Sequence, residues 1–511
     1  MFLMSSQANA GLHLHGTSVG PLRFVSANGI GPTFAQLVAV ASATTTRHLT
    51  RGYFNIGSGD VSKLVLSFYS FYVGASVLAI NGYAIESVAI EYNGTSSPVT
   101  FSGGRSKIIG SGASDVQADA LFPSAFGLSK FAQGSVGYVR MMLTFANPST
   151  DTTPQSAVGV SAQSAFAIGY DPSKVSVTNG VDATGPISYS MINGGINGID
   201  AIFLNTFMMP AMLGTFVSGD PGTYIEIGDS ITSGVGDVYT PQGVAGMTRA
   251  LYPDPTLPTN AKANWNIGVS GGIASAWAAG TPVLLTQYLR YAKFAIEAYG
   301  TNALTASASQ AIHAQLRAAG VQKILRMSLC PRAQNPCVIS ISSLTSVGTT
   351  ATATVASTTN LTTGQTYPIS GASPAAYNGS YVITVLSSTT FSYTFAGGTS
   401  PATGTIIADD QFRTEAFQVA SSGWSPGGVA DMFEQAMQAL VTSDLTYIET
   451  SAVRGSTHWF WLTNGAPFSN TVDGLHPSTA GYELRFGSNS SIVAQSGTTV
   501  ATMRSVIAAM G

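Results

Sequence analysis

Two patterns of apolar and polar positions divide the chain. Up to about residue 220, short runs rich in aromatic and β-branched residues alternate with Gly, Asn, Ser and Pro clusters, as in Lys63–Val73, Ser87–Tyr92 and Tyr138–Phe145. Such runs bounded by turn residues predict an antiparallel β-sandwich of jelly-roll type over residues 1–220. Its expected role is glycan binding, attachment to a particle, or simple cover for the adjoining domain. From Thr223 the pattern changes. Tyr224–Ile227 and Lys323–Leu329 read as buried strands, and between them Ala308, Ala311, Ile312, Leu316 and Ala319 recur at helical spacing until Gly320. Strand, helix and strand in succession predict a parallel sheet with helices on both faces.

That alternation breaks at residues 338–408, a Ser-, Thr- and Gly-rich tract. Thr349–Val355, Gly379–Val385 and Thr390–Phe395 alternate with period two, and Asn378-Gly379 and Gly397-Gly398 supply turns. This predicts a small β module inserted in a surface loop of the α/β unit, which then consists of residues 221–337 and 409–511. In the second part, Met432, Phe433, Ala436, Met437 and Leu440 predict a helix over Val429–Val441, followed by a strand at Thr446–Thr450. Pro477 and Ser478 open a last helix containing Tyr482 and Leu484.

Composition narrows the setting. Hydrophobic residues make up 45% of the 511 and charged residues only 9%, a balance that points to a rigid, β-rich protein working outside a cell or on a virus particle. The formal charge of -3, with 21 Lys and Arg scattered along the chain, offers no basic patch, so nucleic acid is not an expected partner. Met1–Ser6 lacks the features of a signal peptide, and no run approaches the roughly 20 apolar residues that span a bilayer. An extracellular or virion-associated location reached by another route, such as lysis, is the expectation. Cys330 and Cys337 flank a short loop and are read either as a small disulfide or as packed thiols.

The candidate chemistry begins where the strand Tyr224–Ile227 runs into Gly228-Asp229-Ser230. A serine presented at the carboxyl end of a buried strand is placed as a nucleophile, and it needs a base and oxyanion donors. Asp473 and His476, three residues apart, suit a carboxylate that orients an imidazole. Gly271, after Trp265–Val269, and Asn302, after Phe294–Tyr299, follow further predicted strands and supply donors of the right kind. In a parallel sheet these junctions share one edge. Ser270, in Gly268-Val269-Ser270-Gly271-Gly272, is the rival nucleophile, but the same pattern recurs at Gly16–Gly20 without such context. His13 and His15 lack a third ligand, and no metal or other cofactor is expected. His48 and His313 are read as structural. His458, Trp459, Phe460 and Trp461, upstream of Asp473, either line a cleft or simply pack.

Gly-Asp-Ser, Asn266-x-Gly-x-Ser-Gly271, Gly300-x-Asn302 and Asp473-x-x-His-Pro477, in that order, resemble the four blocks of the SGNH (GDSL-type) hydrolases. Ile231 stands where the family usually has leucine, and Ala303 where an acidic residue often follows the asparagine. The resemblance implies a three-layer, flavodoxin-like α/β hydrolase domain. It also implies Ser230 as nucleophile, His476 as base, Asp473 as its orienting partner, and an oxyanion hole of Ser230, Gly271 and Asn302. The residue 338–408 tract resembles small β modules of phage tail and other virion proteins. The resemblance implies a serine esterase acting on acetylated carbohydrates, lipids or other acyl esters, and the β-rich flanking domains favour an O-acetylated polysaccharide over a small acylated molecule as substrate. The competing expectations are a non-catalytic virion structural or glycan-binding adhesin with a retained hydrolase domain, and a lipase or general acyl esterase. Virion assembly or homo-oligomerisation is the expected protein partnership.

Overall fold

The structure is a computed structural model. It describes residues 20–29, 34–37, 47–74, 76–146, 152–155, 165–170, 199–203, 209–237, 244–252, 259–278, 282–334, 338–409, 411–413, 415–449, 459–463, 468–486, 492–494, 500–501 and 503–510. His13, His15, Gly16–Val19, Cys337 and His458 lie outside them.

The N-terminal part is built from antiparallel sheets. One places Val61–Phe68 between Ala211–Phe216 and Val116–Gln117, and a larger one is centred on Val136–Thr144, between Arg47–Asn55 and Tyr83–Tyr92. Alternation along these strands turns Leu64, Leu66 and Phe68 of the first sheet and Phe54, Ile85, Ile90, Val139 and Met141 of the second into one core.

Five parallel strands follow, in the spatial order Asn264–Asn266, Tyr224–Ile227, Phe294–Glu297, Lys323–Met327 and Leu445–Glu449. Ile492–Ala494 and Val500–Ala501 extend the last edge antiparallel. Every residue of Tyr224–Ile227 is buried, because both faces of this strand are covered. Segment Ser26–Gly29 closes the other edge, with Asn264 N donating to Ser26 O and Asn266 N to Gly29 O, both at 2.8 Å.

The expected three-layer, flavodoxin-like α/β arrangement is overturned. Strand takes 36% of the structure and helix 19%, most sheets are antiparallel, and the parallel sheet is one component among several. The physical reason lies in what covers the sheet. On the face of Ile225, Ile227 and Trp265, helices Val283–Leu289 and Ala306–Ala318 share the packing with Phe24, Val65, Tyr69, Phe71 and Leu213 of the N-terminal sheets. Gly246–Leu251 and Ala274–Ala278 form short 3-10 turns in place of full helices.

Between Ala333–Gln334 and Val419–Ala420, which pair with each other, the chain leaves to form a closed six-stranded barrel from Val338 to Asp409. Period-two alternation sends Ala351, Ala353 and Val355 inward to meet Leu344, Tyr377, Ile383 and Phe391.

A buried ion pair stiffens the middle of the parallel sheet. Glu297 accepts from Arg326 Nη1 at 3.0 Å and from Tyr299 N at 2.8 Å, and His313 Nε2 lies 3.2 Å from its other oxygen. Burial raises the carboxyl's pKa, but Arg326, His313 and the Tyr299 N–H outweigh it and hold the value below the ordinary range. Replacing Arg326 by Met leaves the buried Glu297 carboxylate with only His313 and the Tyr299 N–H, so urea unfolding is expected to show a loss of about 3–5 kcal/mol. A loss below about 1 kcal/mol would contradict this account.

Candidate active site

Ser230 is the first residue of a four-residue helix, Ser230–Ser233, directly after the second-from-edge strand of the parallel sheet. Asp229 caps it, its Oδ1 accepting from Ile231 N at 3.0 Å, and Gly234 ends it in the left-handed region at φ 91°. The tight entry requires Gly228: a Cβ there would stand 2.0 Å from Thr232 Oγ1. The Asp229 carboxyl is fully buried, which raises its pKa, while the Ile231 N–H, Thr301 and the nearby Arg485 and Arg326 act in the opposite direction.

His476 Nε2 lies 3.0 Å from Ser230 Oγ, and His476 Nδ1 lies 2.7 Å from Asp473 Oδ2. The second carboxyl oxygen, Oδ1, accepts from the backbone N–H of His476 at 2.7 Å and of Leu475 at 2.9 Å. Burial alone would raise the pKa of Asp473. The two backbone N–H groups and the imidazole outweigh it, so the carboxyl is held below its ordinary value and ionised beside the ring. This is the geometry in which a carboxylate fixes the Nδ1–H tautomer and leaves Nε2 to accept the serine proton.

The loop bearing Asp473 and His476 is itself held from several sides. Thr471 Oγ1 donates to His476 O and receives Gly474 N, both at 2.8 Å. Trp461 Nε1 donates to Gly474 O at 2.8 Å, and Ala333 N reaches the same carbonyl at 2.9 Å. Trp461 is fully buried and Trp459 nearly so, the latter packed edge-on against Trp424. Of the two readings of these aromatics, burial favours packing, and Trp461 adds support beneath the loop. Sequence reasoning missed that support, because an indole N–H aimed at a distant carbonyl leaves no local pattern.

Gly271 and Asn302 follow the strands on either side of the one leading to Ser230, so all three junctions lie at the same edge of the sheet. Gly271 adopts φ 73° with open space where a Cβ would be, and it is exposed. Asn302 Nδ2 donates to Gly272 O at 3.1 Å, tying its loop to that of Gly271. An amide nitrogen has two protons, so the second remains to be directed at a ligand. Ser270 is exposed, but His476 Nε2 bonds Ser230 instead. His313 is buried against Glu297, and Cys330 is buried against Arg485. His48 lies on the strand Arg47–Asn55 of the N-terminal sheets.

Among the described residues, no group of three or more His, Cys, Asp or Glu side chains is arranged to hold a metal ion. Nor is any described helix long and apolar enough to cross a membrane. Searches against models of protein families and against curated proteins give no match to this chain.

Ser230, with its hydroxyl hydrogen-bonded to His476, is expected to react with a fluorophosphonate probe. Intact-mass and peptide analysis are expected to locate a single adduct on Ser230, absent in Ser230→Ala and slowed at least about 100-fold in His476→Ala. Labelling of Ser270 instead would contradict the assignment.

Proposed function

We propose that this protein is a serine carboxylic ester hydrolase that uses an SGNH-type catalytic arrangement. The observation that carries the reading is the continuous relay from Asp473 Oδ2 through His476 to Ser230 Oγ, with contacts of 2.7 and 3.0 Å. In this reading Ser230 Oγ attacks the ester carbonyl carbon while His476 Nε2 takes its proton, giving a tetrahedral oxyanion. The oxyanion accepts from the N–H of Ser230 and Gly271 and from the Asn302 amide. Ser230 N–H is suited to this, since it heads a helix whose first N–H groups have no intrahelical acceptor. Collapse of the intermediate expels the alcohol, which takes the proton from His476. Water, deprotonated by the same imidazole, then releases the acid and restores Ser230.

The substrate class we favour is an acetyl ester on a polysaccharide. Among the described residues around the nucleophile, Ser270, Gly271 and Asn302 are exposed and the Asp473 side chain keeps 48% of its surface accessible, while Ser230 itself is buried. An open edge suits an ester carried on a bulky polar chain, whereas a long acyl chain gains its affinity from enclosure in an apolar channel. An extracellular or virion-borne site of action belongs to the same reading, supported by the low charge content and the several β units around the site.

Purified protein is expected to hydrolyse 4-nitrophenyl acetate faster than the octanoate, with activity abolished in Ser230→Ala and kcat about 100- to 1000-fold lower in Asn302→Ala. Release of acetate from O-acetylated glycans, measured by coupled assay, should follow the same order among variants. Full activity in Ser230→Ala, or no hydrolysis of any ester by folded wild type, would contradict the proposal.

A further inference from the structure

The strand that ends at Ser230 carries a buried acid that the mechanism above does not use. Glu226 is fully buried. Its carboxyl oxygens lie 3.1 and 3.0 Å from Thr248 Oγ1, and Oε2 lies 3.1 Å from Asn266 Nδ2. The Asn266 amide also reaches Thr232 O at 3.0 Å and Thr248 Oγ1 at 3.2 Å, while its Oδ1 accepts from Gly268 N at 2.8 Å. Thr232 belongs to the Ser230 helix, and Gly268 opens the loop that runs to Gly271. Asn266 therefore joins the two segments that present the nucleophile and an oxyanion donor. Their approach is close: a Cβ on Gly268 would stand 2.7 Å from Ser233 N and from Thr232 Cβ.

We propose that Glu226 is a positioning residue for acyl transfer, its carboxyl fixing the Asn266 amide that locks the Ser230 helix against the Gly271 loop. The inference rests on the reading of Ser230 as an esterase nucleophile.

The carboxyl works in its neutral form. Burial raises its pKa to about 8, against the weaker opposing pull of Thr248 and Asn266. Tyr252, also fully buried and bonded to Asn55, interacts electrostatically with Glu226. Arg249, the cation next in sequence to Thr248, is engaged by Asp237 and Glu483. The neutral acid accepts from Thr248 Oγ1 and from Asn266 Nδ2, and it draws on the Asn266 protons only weakly. An ionised one is acceptor-only and competes with Thr232 O for the Asn266 protons, loosening the tie to the Ser230 helix.

The test compares wild type, Ser230→Ala, Glu226→Ala and Glu226→Gln in hydrolysis of 4-nitrophenyl acetate from pH 6 to 9.5, with active sites counted by phosphonate titration. Glu226→Ala is expected to lose kcat about 10- to 100-fold with KM little changed. Glu226→Gln, which keeps one donor and one acceptor, should recover most of that loss. Wild-type kcat should fall as pH rises through about 8, and the fall should be absent in Glu226→Gln. Thermal unfolding gives an independent readout. With a folded pKa above the unfolded one, the stability Glu226 contributes is full below about pH 4.5 and is lost by about pH 8. That slope should vanish in Glu226→Gln. Undiminished kcat per active site in Glu226→Ala, or identical pH profiles for wild type and Glu226→Gln, would overturn the inference while leaving the esterase reading intact. An inactive wild type or an active Ser230→Ala would overturn both.

Discussion

The contact between His476 Nε2 and Ser230 Oγ joins residues 246 positions apart, and the arrangement around the site serves to keep that contact at hydrogen-bond length. A hydroxyl presented by a mobile segment would spend little time within reach of a base. Here the Ser230 helix is capped by Asp229, wedged against Gly268 and tied through Asn266. The His476 loop is held by Asp473, Thr471, Trp461 and Ala333. Neither set of bonds is large in energy, but together they convert a long-range encounter into a fixed geometry.

Parallel strand order gives this geometry its frame. Adjacent parallel strands end together, so the segments after Asn264–Asn266, Tyr224–Ile227 and Phe294–Glu297 emerge at one edge. The same sheet is also a docking platform. The N-terminal sheets pack on one face and close an edge of it, and both ends of the barrel excursion contact the Asp473 loop. Ala333 bonds Gly474 on the way out, and on the return Gln411 O accepts from Phe468 N while Phe412 packs against Phe468. The β units are thus attached to the elements that carry the site.

Much of this was legible in the sequence where the signal is local. Gly228-Asp229-Ser230 after an apolar strand and the three-residue spacing of Asp473 and His476 depend on one turn of backbone each, and local residue types specify such turns. Period-two alternation likewise marks Thr349–Val355 as a strand, and Thr350–Val355 forms one whose alternate positions are buried. The layered architecture was misjudged because periodicity shows that a face is apolar without showing what covers it. Strands and helices compete to cover the same face, and here Phe24, Tyr69 and Phe71 take space that helices were expected to fill. Long-range polar partners were equally hidden. Nothing near Glu226 in sequence announces Asn266 or Thr248, and a glutamate inside a Tyr-Ile-Glu-Ile strand was the one available hint of an unusual buried acid.

Covalent catalysis by Ser230 can be observed by rapid mixing with 4-nitrophenyl acetate, followed by acid quench and peptide mass spectrometry. A burst of nitrophenolate no larger than the enzyme concentration is expected, with an acetyl group on the peptide containing Ser230 that disappears as turnover ends. An acetyl group found only elsewhere, or turnover that persists undiminished when Ser230 is replaced by alanine, would contradict it.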